Sequence, residues 1–301
     1  MKEIIQTNLN LCVGCNRCVR ECPMEMANIT YQDEEGRVKV KIDREKCVSC
    51  GRCVSACKHA ARIFKDDTER FFVDLKMGVP IIVMVAPAVR TNIPQHKKLF
   101  TYLKKKGVKR IYDVSFGADL CIWGYVRYIE KLRKRKAKKP VITQPCPAIV
   151  NYCKIHKPGL LKYLAPVHSP MGSLSVFMKK YEGITDKIAA ICPCIAKHDE
   201  FEQAHVADYN ITFARLLEYL AENSVVLPEQ ETEFEASHSG RLGSLFPMPG
   251  GLKENLEFYF DREIFVSRAE GRGVFRKLDE YLNTDPEILP DVYDVLSCDE
   301  G

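Results

Sequence analysis

The spacing of apolar residues along this chain changes character at three places. In the first sixty residues, Asn28-Ile29-Thr30-Tyr31 and Arg37-Val38-Lys39-Val40-Lys41-Ile42 alternate apolar with polar. That is the period-two pattern of strands, and Asp33-Glu34-Glu35-Gly36 between them carries the turn residues of a hairpin. Over 63–78 the spacing predicts a connecting helix, with Asp67 or Thr68 as its cap and Gly78 as its stop. From residue 79 onward, short β-branched runs alternate with longer amphipathic ones. Strands are predicted at 81–86, 109–114, 141–144, 187–191 and 207–211. Helices are predicted at 94–106, 118–135, 148–164, 173–181 and 213–223. Strand–helix alternation with short links points to α/β layers and largely parallel sheets. Beyond residue 225 the pattern weakens to a Gly/Pro-rich loop at 239–251 and two predicted helices, at 252–260 and 275–282.

A length of 301 residues with 46% hydrophobic content suffices for two or three domains with buried cores. The N-terminus, Met1-Lys2-Glu3-Ile4-Ile5-Gln6, lacks the apolar stretch of a signal peptide, and no window is apolar enough to span a membrane. A net charge of +5 does not argue for nucleic acid. The basic run from Lys131 to Lys139 closes a predicted helix and reads as a solvated face, since cations are favoured at a helix C-terminus. Its other reading is a docking patch for an acidic redox partner.

Fourteen cysteines change the picture. Eight fall in two copies of C-x2-C-x2-C-x3-C: Cys12, Cys15, Cys18 and Cys22, then Cys47, Cys50, Cys53 and Cys57. This is the bacterial ferredoxin spacing, in which the fourth cysteine of each run ligates the other cluster. One [4Fe-4S] cluster is therefore assigned to Cys12, Cys15, Cys18 and Cys57, and a second to Cys47, Cys50, Cys53 and Cys22. Zinc would not need the crossed fourth cysteine, and a disulfide framework needs a secreted setting. A reducing cytoplasm is the expected location. Lys58 stands where the first run has Pro23, which leaves the ligand set unaffected. Of the other cysteines, Cys121 and Cys153 lie in helical patterns and read as small buried hydrophobes. Cys146 and Cys194 instead follow predicted strands in proline-bracketed turns, and ligands gather at the carboxyl ends of parallel strands. Lys197, three residues after Cys194, is a cation placed to favour thiolates and anionic ligands. Spacing alone leaves a third metal centre open.

Several peptides make the chain resemble the [FeFe]-hydrogenases. They are Ala86-Pro87-Ala88-Val89-Arg90, Ser115-Phe116-Gly117-Ala118-Asp119-Leu120, Thr143-Gln144-Pro145-Cys146-Pro147, His168-Ser169-Pro170-Met171, Cys192-Pro193-Cys194-Ile195-Ala196-Lys197 with Glu200, and Ser297-Cys298-Asp299-Glu300-Gly301. The resemblance implies an α+β protein: a two-cluster ferredoxin-like domain (1–62), the connecting helix (63–78), and a catalytic α/β domain of two lobes (79–301). It implies a third [4Fe-4S] cluster held by Cys146, Cys194 and Cys298 and bridged to a two-iron unit, together the H-cluster. Lys197 would contact a cyanide there, with Cys192 and Glu200 beside it. Ala86, Pro87, Pro193, Ser169 and Met171 would line the two-iron site, and residues 115–120 would form a turn. The bridging cysteine of the third motif would fall one place beyond Gly301, so the chain is expected to be incomplete there, with room for a signalling domain to follow.

The departures from the family pattern are specific. The relay cysteine before the first ligand is Pro145, the relay glutamates are replaced among Gly124, Tyr125 and Tyr128, and the methionine of the second motif is Cys192. Acid–base relay needs titratable groups within hydrogen-bond reach, and proline has none. The pattern resembles the branch of the family assigned to hydrogen sensing. The expected function is slow interconversion of H2 with protons and electrons, with ferredoxin or another iron–sulfur protein as redox partner. The alternative is an electron-transfer or cluster-carrying protein on the same scaffold without the two-iron unit.

Overall fold

The computed structural model describes residues 4–135, 140–235 and 240–299. The N-terminal unit runs β1 (Ile5–Thr7), α1 (Arg17–Arg20), β2 (Asn28–Gln32), β3 (Val38–Ile42), α2 (Arg52–Ser55) and β4 (Arg62–Phe64). β2 and β3 form the predicted hairpin, with Thr30 opposite Val40. Asp33 closes its turn by accepting from the backbone N–H groups of Glu35 and Arg37, and Gly36 supplies the positive φ. β1 pairs antiparallel with β4, Ile5 opposite Phe64, tying the chain start to the segment after Cys57.

That pairing corrects the helix predicted over 63–78. Residues 62–64 are strand, and α3 occupies only Thr68–Lys76. Asp67 holds the N-cap position, while the Asp66 carboxylate accepts the Thr68 N–H. Phe71, Phe72 and Leu75 of α3 pack into the core of the next layer, so the helix belongs to it rather than bridging open space.

The remainder runs β5 (Ile81–Val85), α4 (Val89–Asn92), α5 (His96–Lys105), β6 (Ile111–Asp113), α6 (Val114–Lys134), β7 (Val141–Ile142), α7 (Pro147–Ile155), α8 (Pro170–Lys180), β8 (Lys187–Cys192), α9 (Lys197–Ala204), β9 (Tyr209–Thr212), α10 (Phe213–Glu222), α11 (Gly251–Tyr259), β10 (Val266–Ala269), α12 (Val274–Leu282) and β11 (Val292–Val295). Two parallel sheets result, ordered β6-β5-β8-β9 and β10-β11-β7. β5 is buried along its whole length, as a central strand covered on both faces must be.

Boundaries moved where capping decided them. α6 starts at Val114 because Asp113, at the end of β6, caps it by accepting the Ser115 N–H. Residues 115–120 are therefore helical rather than a turn. The helix predicted over 148–164 ends at Ile155, and Pro158–Tyr163 form a 3-10 segment after it. α8 starts at Pro170 because Ser169 caps it, accepting the Gly172 N–H. The basic run is helical to Lys134, and Arg133 spends its charge locally, over the Phe260 ring and on the Glu263 carbonyl. Positions 136–139 of that run, and 239 of the Gly/Pro-rich loop, lie outside the described residues.

α6 and α8 cross closely at Gly117. A Cβ there would meet the Pro170 carbonyl oxygen at 2.2 Å and Leu174 Cβ at 2.8 Å. Gly117→Ala is expected to cost about 1–3 kcal/mol, the usual range for overpacking, read as a lowered melting temperature under anaerobic conditions. An unchanged melting temperature would show that the two helices can separate there freely.

Candidate metal centre

The two N-terminal cysteine runs fold alike. Gly14 and Ser49 have φ of 67° and 61°, and Asn16 and Gly51, the N-caps of α1 and α2, have 58° and 82°. Left-handed residues at matching places wrap each loop around its thiols. A Cβ on Gly14 would lie 2.4 Å from the Val38 carbonyl oxygen. α1 and α2 carry the third cysteines, Cys18 and Cys53, both buried, and lead to Cys22 and Cys57. Among the described residues, no three His, Cys, Asp or Glu side chains converge at single-ion spacing. Cys12, Cys15, Cys18 and Cys57 line one small cavity of about 20 Å³, the same four thiols that the crossed spacing assigns to one cluster.

Electrostatics at these thiols call for a counter-charge. Burial pushes Cys50 and Cys53 up to about 12. Burial acts the same way on Cys57, but the backbone N–H groups of His59, Arg62 and Ala61 and the Arg62 guanidinium outweigh it and hold that thiol below its ordinary value. Arg62 itself is buried and forms no ion pair with a carboxylate among the described residues. It donates to Cys18 Sγ at 3.3 Å. A buried guanidinium without an anion is costly. Iron–thiolate clusters supply that anion, so these residues fit the group.

The second site forms where the two parallel sheets point their carboxyl ends at each other. The ends of β5, β7, β8 and β11 deliver Ala86-Pro87, Pro145-Cys146, Cys192-Pro193-Cys194 and Leu296 with Cys298 to one cavity of about 170 Å³. Met171, from the start of α8, and Lys197, from the start of α9, complete its wall. Phe246 and Pro247 close it from the Gly/Pro-rich loop. The sequence marked that loop only by its composition. Asp119 of α6 pins the loop in place, its carboxylate accepting from the Arg241 and Gly243 N–H groups at 2.7 Å each.

Most of the predicted residues meet here. Cys146 is the N-cap of α7, ahead of Pro147 at the first helical position. Burial, with Cys146 beside it, pushes Cys194 up to about 11 against the pull of Lys197. Cys192 is pushed up to about 12 by burial, and its thiol donates to Asn210 Oδ1 at 3.4 Å. Of the thiols in the wall, Cys298 is the exposed one. Ser169 and Glu200 stand behind the wall rather than in it. Lys197 Nζ donates to Glu200 Oε2 at 2.5 Å and to the Pro145 carbonyl oxygen at 3.0 Å, and Ser169 Oγ donates to Glu200 Oε1. Burial pushes Lys197 down, but Glu200 outweighs it and holds the ammonium above its ordinary range. The cavity thus has an apolar wall with thiols and one fixed cation. Cys121 and Cys153 are buried apart from it.

The two sites touch. Arg52 of α2 donates to the Ser297 carbonyl oxygen at 2.6 Å and pairs with Asp299, flanking Cys298 on both sides. A Cβ on Gly51 would sit 3.0 Å from Ile195, the residue after Cys194.

Asp294, four residues before Cys298, is buried, and burial raises its carboxyl to about 6. The folded chain therefore keeps this proton after the unfolded chain has lost it, and stability falls as pH rises from about 4 to about 6, by roughly 2–3 kcal/mol. Asp294→Asn is expected to remove that loss. It should melt higher than wild type at pH 7 and differ less at pH 5. An equal effect at both pH values would assign the change to packing.

Comparison with known proteins gives a consistent picture. Residues 79–284 match the family model described as the C-terminal domain of the iron only hydrogenase large subunit, and residues 11–61 match a 4Fe-4S dicluster domain. Iron hydrogenase 1 of Clostridium pasteurianum is 25% identical over 281 residues, covering 81% of this chain and 49% of that protein. A probable cytosolic Fe-S cluster assembly factor of Culex quinquefasciatus is 26% identical over 208 residues, covering 65% and 40%. The solved structure of a variant [FeFe]-hydrogenase from Chlamydomonas reinhardtii matches with a TM-score of 0.57 at 18% identity, covering 78% of this chain and 82% of that one, and so shows a shared fold. The chain spans about half the length, or less, of these two curated relatives. Among the described residues, no helix is long and apolar enough to cross a membrane.

Proposed function

We propose, since the chain belongs to the iron-only hydrogenase large-subunit family, that it interconverts H2 with protons and electrons at a centre held by Cys146, Cys194 and Cys298, slowly enough to serve as a hydrogen sensor. The observation that carries this is the cavity that gathers these three thiols around the fixed cation of Lys197. A two-iron unit bearing cyanide would give that cation an anionic ligand to face. When bound, that unit supplies the site where H2 is made or split.

The chain's own residues then have separate tasks. Cys146, Cys194 and Cys298 would hold the cubane portion. Lys197, fixed by Glu200 and the Pro145 carbonyl, orients the anionic face. Ser169 locks the other oxygen of Glu200. Ala86, Pro87, Pro193 and Met171 exclude water. Proton movement is the slow task. Pro145 carries no proton, and Tyr125, fully buried and pushed well above its ordinary value by burial, keeps its own. Cys192 is the thiol left in the wall, and at about 12 it gives up its proton reluctantly. Electrons would enter or leave through two [4Fe-4S] clusters on Cys12–Cys22 and Cys47–Cys57, toward a ferredoxin-like partner. All fourteen cysteines are free, as suits a reducing cytoplasm.

The second reading is an electron-transfer or cluster-carrying protein without the two-iron unit. It is favoured by Pro145, which ends the usual relay, and by the cluster-assembly relatives. The test is infrared spectroscopy after anaerobic maturation. Bands from CO and cyanide support the first reading. About twelve irons per chain with no such bands would establish the second.

A further inference from the structure

Two of the most buried cations in the N-terminal unit make their hydrogen bonds at one of its two cysteine nests. Arg62 is 5% exposed and donates to Thr7 Oγ1 (2.6 Å), Asn28 Oδ1 (2.6 Å) and Cys18 Sγ (3.3 Å). Lys39 is 7% exposed, and its Nζ donates to the backbone carbonyls of Leu9 and Cys12 at 2.8 Å each. Neither forms an ion pair among the described residues. Lys39 also defies the alternation of its strand, where Val38 is the exposed neighbour. A lysine turned inward onto these carbonyls directs its positive charge at the Cys12 loop.

The other nest has the opposite companion. Asp199 of α9 is 3% exposed, forms no ion pair among the described residues, and is held by Asn151 Nδ2 at 2.7 Å. Asn151 also donates to the Val48 carbonyl, next to Cys47, and the charge of Asp199 reaches the Cys47 thiol. Arg62 reaches both nests, but its hydrogen bond is to Cys18, a ligand of the first. The charge of Arg52 also acts on Cys50 of the inner nest, but it is shared with the paired Asp299 carboxylate, and its hydrogen bonds go to Ser297 and Asp299.

We propose that Arg62 and Lys39 raise the reduction potential of the Cys12/Cys15/Cys18/Cys57 cluster above that of the Cys47/Cys50/Cys53/Cys22 cluster, which Asp199 lowers, so that the pair passes electrons outward from the catalytic cavity. A nearby cation stabilises the more negative, reduced cluster, and a nearby anion does the reverse, in surroundings where water screens little. With both clusters held by these thiols, the step would be the passage of one electron, oxidising the cluster on the Cys47 run and reducing the cluster on the Cys12 run, with no bond made or broken. The Cys47 loop abuts Ile195 and the Cys298 loop, so it is the inner station. Cys15 of the other nest is exposed, so that cluster is the outer one, where a partner protein would collect the electron.

This rests on the reading that both clusters are built. The experiment is an EPR-monitored redox titration of the anaerobic protein, with Cys15→Ser used to assign the outer cluster's signal. Two distinct midpoints are expected, the outer one higher. Arg62→Gln should lower the outer midpoint more than the inner one, and Arg62→Lys should restore most of the shift. Lys39→Met should lower the outer midpoint alone, and Asp199→Asn should raise the inner one. If Arg62→Gln fails to hold iron, the wild-type order and the other two variants still decide. Equal midpoints, or a higher inner midpoint, in a protein holding both clusters would overturn the proposal while leaving the dicluster reading intact. An N-terminal unit that binds no iron would overturn both.

Discussion

Cys194→Ser in the matured protein is expected to remove the irons of the third centre, about six per chain (four of the cubane and two of the bridged unit), while leaving about eight in place. Cys194 follows β8 into the cavity shared with Cys146 and Cys298, and burial pushes its thiol up to about 11. A thiol so placed ionises only when a cation compensates it. Iron does this, and a serine hydroxyl is far harder to ionise in the same place. The N-terminal clusters depend on eight other thiols, so their EPR signals should persist. Contact through Gly51 and Ile195 transmits only a local shift. The measurement is iron and acid-labile sulfide per chain, with EPR of the reduced protein. Proportional loss from all sites would mean that Cys194 supports the fold and holds no centre of its own.

Lys197→Met is expected to abolish CO and cyanide infrared bands and to destabilise the chain by about 3–5 kcal/mol at neutral pH, the usual cost of breaking a buried ion pair. Lys197 is 12% exposed and Glu200 is 18% exposed, and with the ammonium gone Ser169 is the hydrogen-bond partner left to that carboxylate among the described residues. The pH dependence follows from the pair. In the wild type, the pKa of Lys197 is raised on folding, so its contribution is complete below the ordinary lysine value and is lost as pH rises through the folded one. The double variant Lys197→Met with Glu200→Gln separates the two roles. It should recover stability, because no buried charge is left alone, and still lack the bands. Bands that survive in either variant would remove Lys197 from the centre, whatever happens to stability.

The N-terminal unit was legible because its information is local. C-x2-C-x2-C-x3-C, twice, fixes which thiols face a cluster, since two intervening residues can turn only so far. The hairpin at Asp33–Gly36 was equally local, with alternation on both flanks and a turn residue between them. Strand–helix alternation over 81–223 likewise carried the parallel sheets. Errors fell where partners are distant. Strand β4 exists because Ile5 and its neighbours come back to pair with it. Strands β10 and β11 are four residues each and become strands by pairing with each other and, through β11, with β7. The helical start of α6 at Val114 was set by one capping carboxylate.

By itself, the sequence determined the chemistry carried: eight thiols at ferredoxin spacing, two more in proline-bracketed turns, and a lysine one helical turn beyond Cys194. Tertiary structure alone decided where that chemistry meets. Cys146 and Cys194 leave different sheets, and Cys298 comes from a strand more than a hundred residues later; the parallel arrangement turns all three toward one cavity. Tertiary structure alone also buried Lys39, Arg62 and Asp199 beside particular cysteines. A charge read along the chain looks solvated, and only packing shows that it has lost its water and must find its counter-charge elsewhere.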